Sequence, residues 1–338
     1  MGLTRRRLHG LASGMLVLLA SACAAHAQGP RALPRIALVD TVAATSDMTE
    51  ARHPYWGITL VELRRLGHAE GQNVVIDRWS GRGAATAVAY KDLARRIAAS
   101  EPQVIVVRAR SMLVHIAVET KTIPIVAIGS IPPDLRVSLS RPGGNVTGID
   151  VGFDAQQLYG KQVEVLRDVL KPGARIAWLG PKSLWDSIVG EAQRKGAASA
   201  GVTLRPFFVT PVNKPTLRRA FADMARAKSD GLLISPATEF FSFREIIAEL
   251  AVSQRLATLA SNRLYAEGGA LITYGVDFER QYGRLASYVD RILKGAAPAT
   301  LPIEQPDKIE LVINLETAKA IGVAIAPSLL ARADRVIE

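Results

Sequence analysis

From Arg35 onward the sequence repeats one unit, a short apolar run followed by an amphipathic stretch, and this alternation restricts the fold more than any other feature. Arg35–Asp40 is a continuous apolar run of the kind a strand covered on both faces requires. Residues 55–66 then place Trp56, Leu60, Leu63 and Leu66 on one helix face, and Gly67 closes it. The same reading gives strand 74–79, helix 84–99, strand 104–107, helix 111–119 and strand 123–128. Strands joined through helices take right-handed crossovers and form a parallel sheet, whose ligands lie outside the strand carboxyl ends.

The decapeptide Arg141-Pro-Gly-Gly-Asn-Val-Thr-Gly-Ile-Asp150 interrupts the pattern. Pro142 ends any preceding helix, and Gly143-Gly144 lets the chain turn before a short strand, so the segment reads as a hinge or as a plain loop and edge strand. The alternation then restarts. Asp154 caps a helix with Gln157 three residues on, running to 170, followed by strand 175–179, helix 185–200, strand 204–209, helix 216–227, strand 231–235 and helix 243–254. A third section holds strand 270–274, a helix with the stripe Phe278, Tyr282, Leu285, Val289 and Ile292, a proline-bearing linker at 298–306, strand 309–313 and helix 315–322. The expected fold is α/β, two Rossmann-like lobes with parallel sheets between which the chain crosses back, and crosses again.

Length and composition suit this reading: 338 residues with 49% hydrophobic and 22% charged content supply two ordinary cores. Residues 1–27 read as a signal peptide, with Arg5-Arg6-Arg7 as cationic region, Leu11 to Ala20 as a short apolar region and Ala25-His26-Ala27 as cleavage site, so the exported chain would start at Gln28 in the periplasm. Two refinements compete there, a twin-arginine signal around Arg5-Arg6 and a lipoprotein box ending at Cys23. Cys23 is the only cysteine, so disulfides and thiolate chemistry are absent from a chain cut after Ala27. The histidines lack ligand spacing, no Gly-x-Gly-x-x-Gly or Walker loop follows a strand, and no Gly-x-Ser-x-Gly is present. No metal, cofactor or catalytic residue is therefore expected. Three of the eleven formal positive charges belong to Arg5, Arg6 and Arg7, and the others are scattered over helix faces without aromatic interleaving, which argues against nucleic acid as partner.

Several segments resemble the bacterial ABC transporter substrate-binding proteins of the tryptophan- and tyrosine-binding type, with a type I periplasmic binding protein fold. They are Arg-Pro-Gly-Gly-Asn-Val-Thr-Gly at 141–148, Leu-Ile-Thr-Tyr-Gly at 271–275, Ala-Ser-Tyr-Val-Asp-Arg-Ile-Leu-Lys-Gly at 286–295 and the long run from Leu301 to Gly322. The resemblance implies two lobes, 31–150 with 275–304 and 151–274 with 305–338, joined by three crossovers near 148–153, 274–277 and 301–308. It also implies a small ligand enclosed by hinge closure, an ABC permease with its ATPase as partners, and no stable membrane insertion after cleavage. An enzyme of the same shape and a ligand sensor for a membrane kinase remain alternatives. The turns Arg108-Ala109-Arg110-Ser111 and Ser130-Ile131-Pro132-Pro133-Asp134 depart from the family's usual small turns, so the relatives' ligand does not transfer directly.

Strand carboxyl ends select the candidate ligand residues. From the first lobe these are Thr41 and Ser46 in the loop after the first strand, Arg108, Arg110 and Ser111 after the third, and Ser130 after the fourth. Ser111 is either a donor toward an anion at a helix start or a plain N-cap. The facing wall is expected from Ser183, Trp185, Thr238 and Phe240, with Trp185 alternatively in the core. Phe153 and Asp277 are placed at lobe crossings. The two arginines favour a small organic acid or amino acid, unless one points to solvent and the other pairs with a carboxylate.

Overall fold

The computed structural model describes residues 33–83, 86–152 and 155–338; the signal peptide, Cys23 and Phe153 lie outside them. The first lobe's strands are β1 (Arg35–Asp40), β2 (Val75–Ser80), β3 (Val104–Arg108), β4 (Ile125–Gly129) and β5 (Val146–Asp150), forming a five-stranded parallel sheet in the order β2-β1-β3-β4-β5. Helices α1 (Trp56–Arg65), α2 (Ala87–Ala99) and α3 (Arg110–Glu119) connect them. The second sheet has the order β12-β11-β10-β9-β8-β6-β7, from β6 (Arg175–Gly180), β7 (Thr203–Phe208), β8 (Gly231–Ile234), β9 (Ala257–Ala260), β10 (Ile272–Val276), β11 (Ile309–Asn314) and β12 (Arg335–Ile337). Its helices are α4 (Ala155–Arg167), α5 (Lys182–Trp185), α6 (Ile188–Ala200), α7 (Lys214–Arg226), α8 (Arg244–Ser253), α9 (Arg263–Glu267), α11 (Leu315–Ile321) and α12 (Pro327–Leu330). Helix α10 (Phe278–Leu293) follows β10 but packs on the first sheet, against α1, β3, β4 and β5.

Burial explains these assignments. In β1 every residue after Arg35 is buried, as a strand covered on both faces must be. The stripe Tyr282, Leu285, Ala286, Val289 and Ile292 of α10 meets Trp56, Leu60 and Leu63 of α1 in one cluster, each large side chain contributing roughly 1.5–3 kcal/mol of burial. In the second lobe a buried hydrogen-bond chain threads the core: Trp178 Nε1 donates to Gln193 at 2.6 Å, Gln193 to Gln162 at 3.2 Å, and Gln162 Nε2 to Ser261 Oγ at 2.9 Å and the Tyr274 carbonyl at 2.8 Å. Gln162 and Gln193 are both fully buried, so each amide needs these partners.

Pro34–Glu338 form one compact unit, within which the chain passes between the sheets three times. The first passage lies between Asp150 and Ala155, the second between β10 and α10. In the third, Glu304 bridges alongside Ile149, exchanging hydrogen bonds with Gly148 and Asp150 at 2.9 and 2.8 Å, before the chain enters β11. Because β11 arrives from that side it pairs with β10 antiparallel, which corrects the expectation of two wholly parallel sheets. Three further differences have local causes. The helix expected over 185–200 begins only at Ile188, after the short α5 ends at Trp185, since Ser187 caps α6 by accepting from Val189 N–H at 3.2 Å. The strand β9 and helix α9 occupy a stretch the periodicity left unassigned. Pro142-Gly143-Gly144 is a turn ahead of the edge strand β5, closed by Val137 N–H on the Pro142 carbonyl at 2.8 Å, and the passage between lobes comes after that strand.

Two glycines of the motif segments are dictated by backbone approach. A Cβ on Gly148, at φ +127°, would lie 2.1 Å from the Ala127 carbonyl oxygen, and one on Gly275 would lie 1.8 Å from that of Ser261. Gly148→Ala is expected to lower stability to urea by at least about 3 kcal/mol. Gly144→Ala, where nothing lies closer than 4.0 Å, should stay within about 0.5 kcal/mol of wild type. Equal unfolding midpoints for the two variants would contradict this account.

Candidate functional site

The carboxyl end of β1 carries Asp40, which is completely buried. Its Oδ1 accepts from Val42 and Ala43 N–H at 2.7 and 2.9 Å, and its Oδ2 accepts from Trp56 Nε1 at 2.8 Å. Arg108, the last residue of β3, brings Nη1 to 3.3 and 3.5 Å from the two oxygens. Desolvation alone would raise the Asp40 pKa; the guanidinium and the three N–H donors outweigh it, and the carboxyl stays below its usual range. Burial likewise disfavours the Arg108 charge, but the oxygens of Tyr282 and Asp40 overcome this and the net shift is upwards. The pair is charged throughout the physiological range.

Around it lies an aromatic cluster. Tyr55 stacks on Tyr282 at 5.1 Å, Trp56 meets Tyr282 edge-on at 5.2 Å, and Phe278 tilts against Tyr55 at 5.8 Å. His53 starts α1: its Nδ1 accepts from Tyr55 and Trp56 N–H at 3.2 and 3.0 Å. Burial pushes its pKa down to about 4, as suits a ring nitrogen that must stay unprotonated to accept. From the cluster the Tyr55 hydroxyl reaches across to Asn262 Oδ1 of the second lobe at 2.7 Å. Arg263 forms an ion pair with Glu279 across the same seam.

Next to this cluster, between the two sheets, lies a cavity of about 110 Å³. Arg108, Val151 and Phe278 line it from the first lobe's side. The second lobe contributes Leu158 and Tyr159 from α4, Ser235 to Thr238 and Phe241 after β8, Ser261, Asn262 and Tyr265 after β9, and Val276 at the end of β10. All but the α4 residues sit at or just beyond strand carboxyl ends or on the elements that follow them, as an open α/β sheet requires of a ligand site. A larger open hollow of about 560 Å³ lies by Arg95, Glu101 and Glu119, at the far ends of α2 and α3. It faces solvent at the opposite end of the first sheet, so the interlobe cavity is the better site.

Of the residues selected from sequence, Arg108 and Thr238 line this cavity. Arg110 and Ser111 are exposed instead, because Ala109 takes φ +80° and turns the chain away after Arg108. Thr41 is half-buried in the loop that wraps Asp40, and Ser46 is exposed with its hydroxyl on Asp47. Ser130 packs against Gly152, where a Cβ would meet its Oγ at 2.6 Å. Ser183 is exposed on α5, and Trp185 packs on Trp178 at 5.2 Å with the Arg194 guanidinium 4.7 Å over its ring. Asp277 caps α10, accepting from Arg280 N–H at 3.2 Å. Phe240 belongs to the core and is fully buried, while its neighbour Phe241 lines the cavity. Residues 238–243 form a 3₁₀ helix, in which positions three apart share a face, so Thr238 and Phe241 point together and Phe240 points away.

Tyr159, Ser235, Ser261 and Asn262 were missed from sequence. A usable signal existed for the last two: Ala-Thr-Leu-Ala followed by Ser-Asn is a short strand entering an N-cap, and Asn262 Oδ1 does accept from Leu264 N–H at 3.0 Å.

A two-lobed α/β molecule with a cavity between its sheets, lined from both, belongs architecturally with the periplasmic binding proteins. The profile of the ABC transporter substrate binding protein family matches residues 55–337, and the chain belongs to that family. It is 22% identical over 213 residues to the tyrosine-binding protein of Clostridioides difficile (strain R20291), a match covering 60% of this chain and 58% of that relative's length. Among solved structures it resembles a conserved domain protein from Vibrio cholerae at 24% identity and a TM-score of 0.74, covering 90% of this chain and 99% of that one. It also resembles an ABC domain from Streptococcus pneumonia in complex with L-Trp, at 22% identity and a TM-score of 0.72, covering 90% and 100%. Membership of this family places the chain among the substrate-binding proteins of ABC transporters. Among the described residues no helix is long and apolar enough to cross a membrane.

His53 sets a pH dependence. The unfolded chain takes up its proton near 6.5 and the folded chain only near 4, so stability is full above pH 6.5 and falls as pH drops toward 4. The loss is on the order of 3 kcal/mol. Urea unfolding at pH 7 and pH 4.5 checks this. His53→Asn, which keeps an oxygen acceptor without the titrating proton, should flatten the dependence, and an unchanged slope in that variant would show that other groups cause it.

Proposed function

We propose that this chain is an exported receptor that captures a small solute with an anionic end in the interlobe cavity and delivers it to an ABC importer. On this reading residues 1–27 are a signal peptide, the protein works in the periplasm, and its partners are a permease and its ATPase. The observation that carries the ligand assignment is Arg108: a guanidinium at a strand carboxyl end, its side chain only 16% exposed, lining a cavity to which both lobes contribute. A charge so placed is costly without partners, and a carboxylate entering the cavity would add a charge-assisted pair. Val151, Leu158, Phe241, Tyr265, Val276 and Phe278 would enclose an apolar body. The amino-acid ligands named for the two relatives are in keeping with this class.

We further propose that the two sheets with their helices move as two bodies about the three passages, the second boundary falling after Val276 at the end of β10 and not at 274/275. The cavity, at about 110 Å³, is smaller than the roughly 300–1,000 Å³ of ordinary ligand pockets. A ligand larger than this space fits only if the lobes part, and one that touches both walls stabilises the closed form.

A thermal-shift screen of amino acids, aromatic and aliphatic acids, sugars and polyamines tests the proposal. A carboxylate at about a hundred times its Kd should add about 2.7 kcal/mol, raising Tm by on the order of 5 °C. Arg108→Ala should weaken that ligand on the order of a hundredfold while Arg110→Ala leaves it unchanged. Stabilisation by neutral sugars or polyamines alone would refute the anionic ligand, and equal affinity in wild type and Arg108→Ala would refute the anchor.

A further inference from the structure

Among the described residues the cavity wall carries one cation, several uncommitted hydroxyls and no anion. On the donor side, Arg108 spends Nη1 on Asp40, while its Nε and Nη2 make no hydrogen bond among the described residues. Ser235 is 2% exposed and its hydroxyl is buried without a partner. The phenols of Tyr159 and Tyr265 have no protein partner among the described residues, and burial raises both pKa values, that of Tyr159 to about 12, so both keep their protons.

The amide oxygen of Asn262 and the hydroxyl of Ser261 are already engaged. Asn262 Oδ1 receives both the Tyr55 hydroxyl at 2.7 Å and Leu264 N–H at 3.0 Å. Ser261 Oγ receives Gln162 Nε2 at 2.9 Å. No carboxylate is among the described residues that line the cavity. Asp40 is sealed behind Arg108, its oxygens filled by Val42, Ala43 and Trp56. Glu239 follows Thr238 in the chain but is exposed, and on a 3₁₀ turn it lies off the face shared by Thr238 and Phe241.

An ammonium group entering such a cavity would meet the Arg108 charge with no lining carboxylate to balance it, whereas the Ser235, Tyr159 and Tyr265 hydroxyls can all donate to a carboxylate. A carboxylate brings only acceptors. We propose that the ligand is a carboxylate with an apolar body and no ammonium group, so that the site selects a deaminated acid over the amino acid of the same skeleton. This deepens the receptor reading and rests on it.

The test uses two matched sets of probes on the exported protein, by titration calorimetry at pH 7. The first is 3-phenylpropionate, phenylalanine and phenethylamine; the second is 4-methylpentanoate, leucine and 3-methylbutylamine. In at least one set the acid should bind at least about tenfold more tightly than the amino acid, and neither amine should bind. An amino acid that binds as tightly as its deaminated partner, or an amine that binds at all, overturns the inference and leaves the receptor reading standing. If neither set binds while only a sugar or polyamine raises Tm, the inference and the anionic ligand fall together and only the receptor role survives. If no solute of any class binds, both fall.

Discussion

The ion pair between buried Asp40 and the partly exposed Arg108 is the interaction on which the site depends. Taking a carboxylate out of water costs several kcal/mol, and one contact at 3.3 Å with a partly exposed guanidinium does not offset that. The structure offsets it with geometry supplied by three neighbouring elements. The loop after β1 turns two amides onto Oδ1, α1 presents the Trp56 indole to Oδ2, and β3 ends where its arginine reaches the same carboxylate. The adjoining strands β1 and β3 and the first turn of α1 are thereby locked together at the cavity's edge. The pair leaves one edge of the guanidinium uncommitted, and that edge belongs to the residue lining the cavity.

The same cluster joins the lobes. Tyr55, stacked on Tyr282, hydrogen-bonds Asn262 of the second lobe, and Leu264 beside it packs in the first lobe's core. Asn262 in turn is set by its own cap on α9 and by the close pass of Gly275 along Ser261. The cavity wall is therefore built from groups whose positions are fixed by backbone contacts and by the Gln193-Gln162-Ser261 hydrogen-bond chain. Such preorganisation lowers the ordering cost of binding. The freedom that binding needs lies instead in the three passages between the sheets.

Much of this was legible in the sequence, and the limits have physical reasons. The doubly covered strands and the α10 stripe announce themselves, because burial on two faces or on one stripe forces apolar residues at fixed spacing. The strand-end rule led to Arg108 and Thr238. It could not separate Arg108 from Arg110, since that depends on the positive φ of Ala109, a residue with no sequence mark for it. It chose Phe240 over Phe241 because a 3₁₀ turn and an irregular loop look alike in a run of aromatics. Tyr159 escaped because it lies on a helix after the first passage, where periodicity speaks of core and not of a facing lobe. The Asp40 carboxylate stood out only as an isolated charge; its partner is 68 residues away in the chain.

Ligand-driven closure is the central claim, and a distance across the cleft tests it most directly. Val88 at the start of α2 and Ile188 at the start of α6 are exposed and follow strand carboxyl ends on opposite lobes, so they flank the cleft. Spin labels at Val88→Cys and Ile188→Cys, in a chain carrying Cys23→Ser, report their separation by double electron–electron resonance. Saturation with the tightest ligand of the screen should convert a broad distribution into a shorter, narrower one, and Arg108→Ala should not show this change at the same ligand concentration. A distribution that stays the same on saturation would contradict the account.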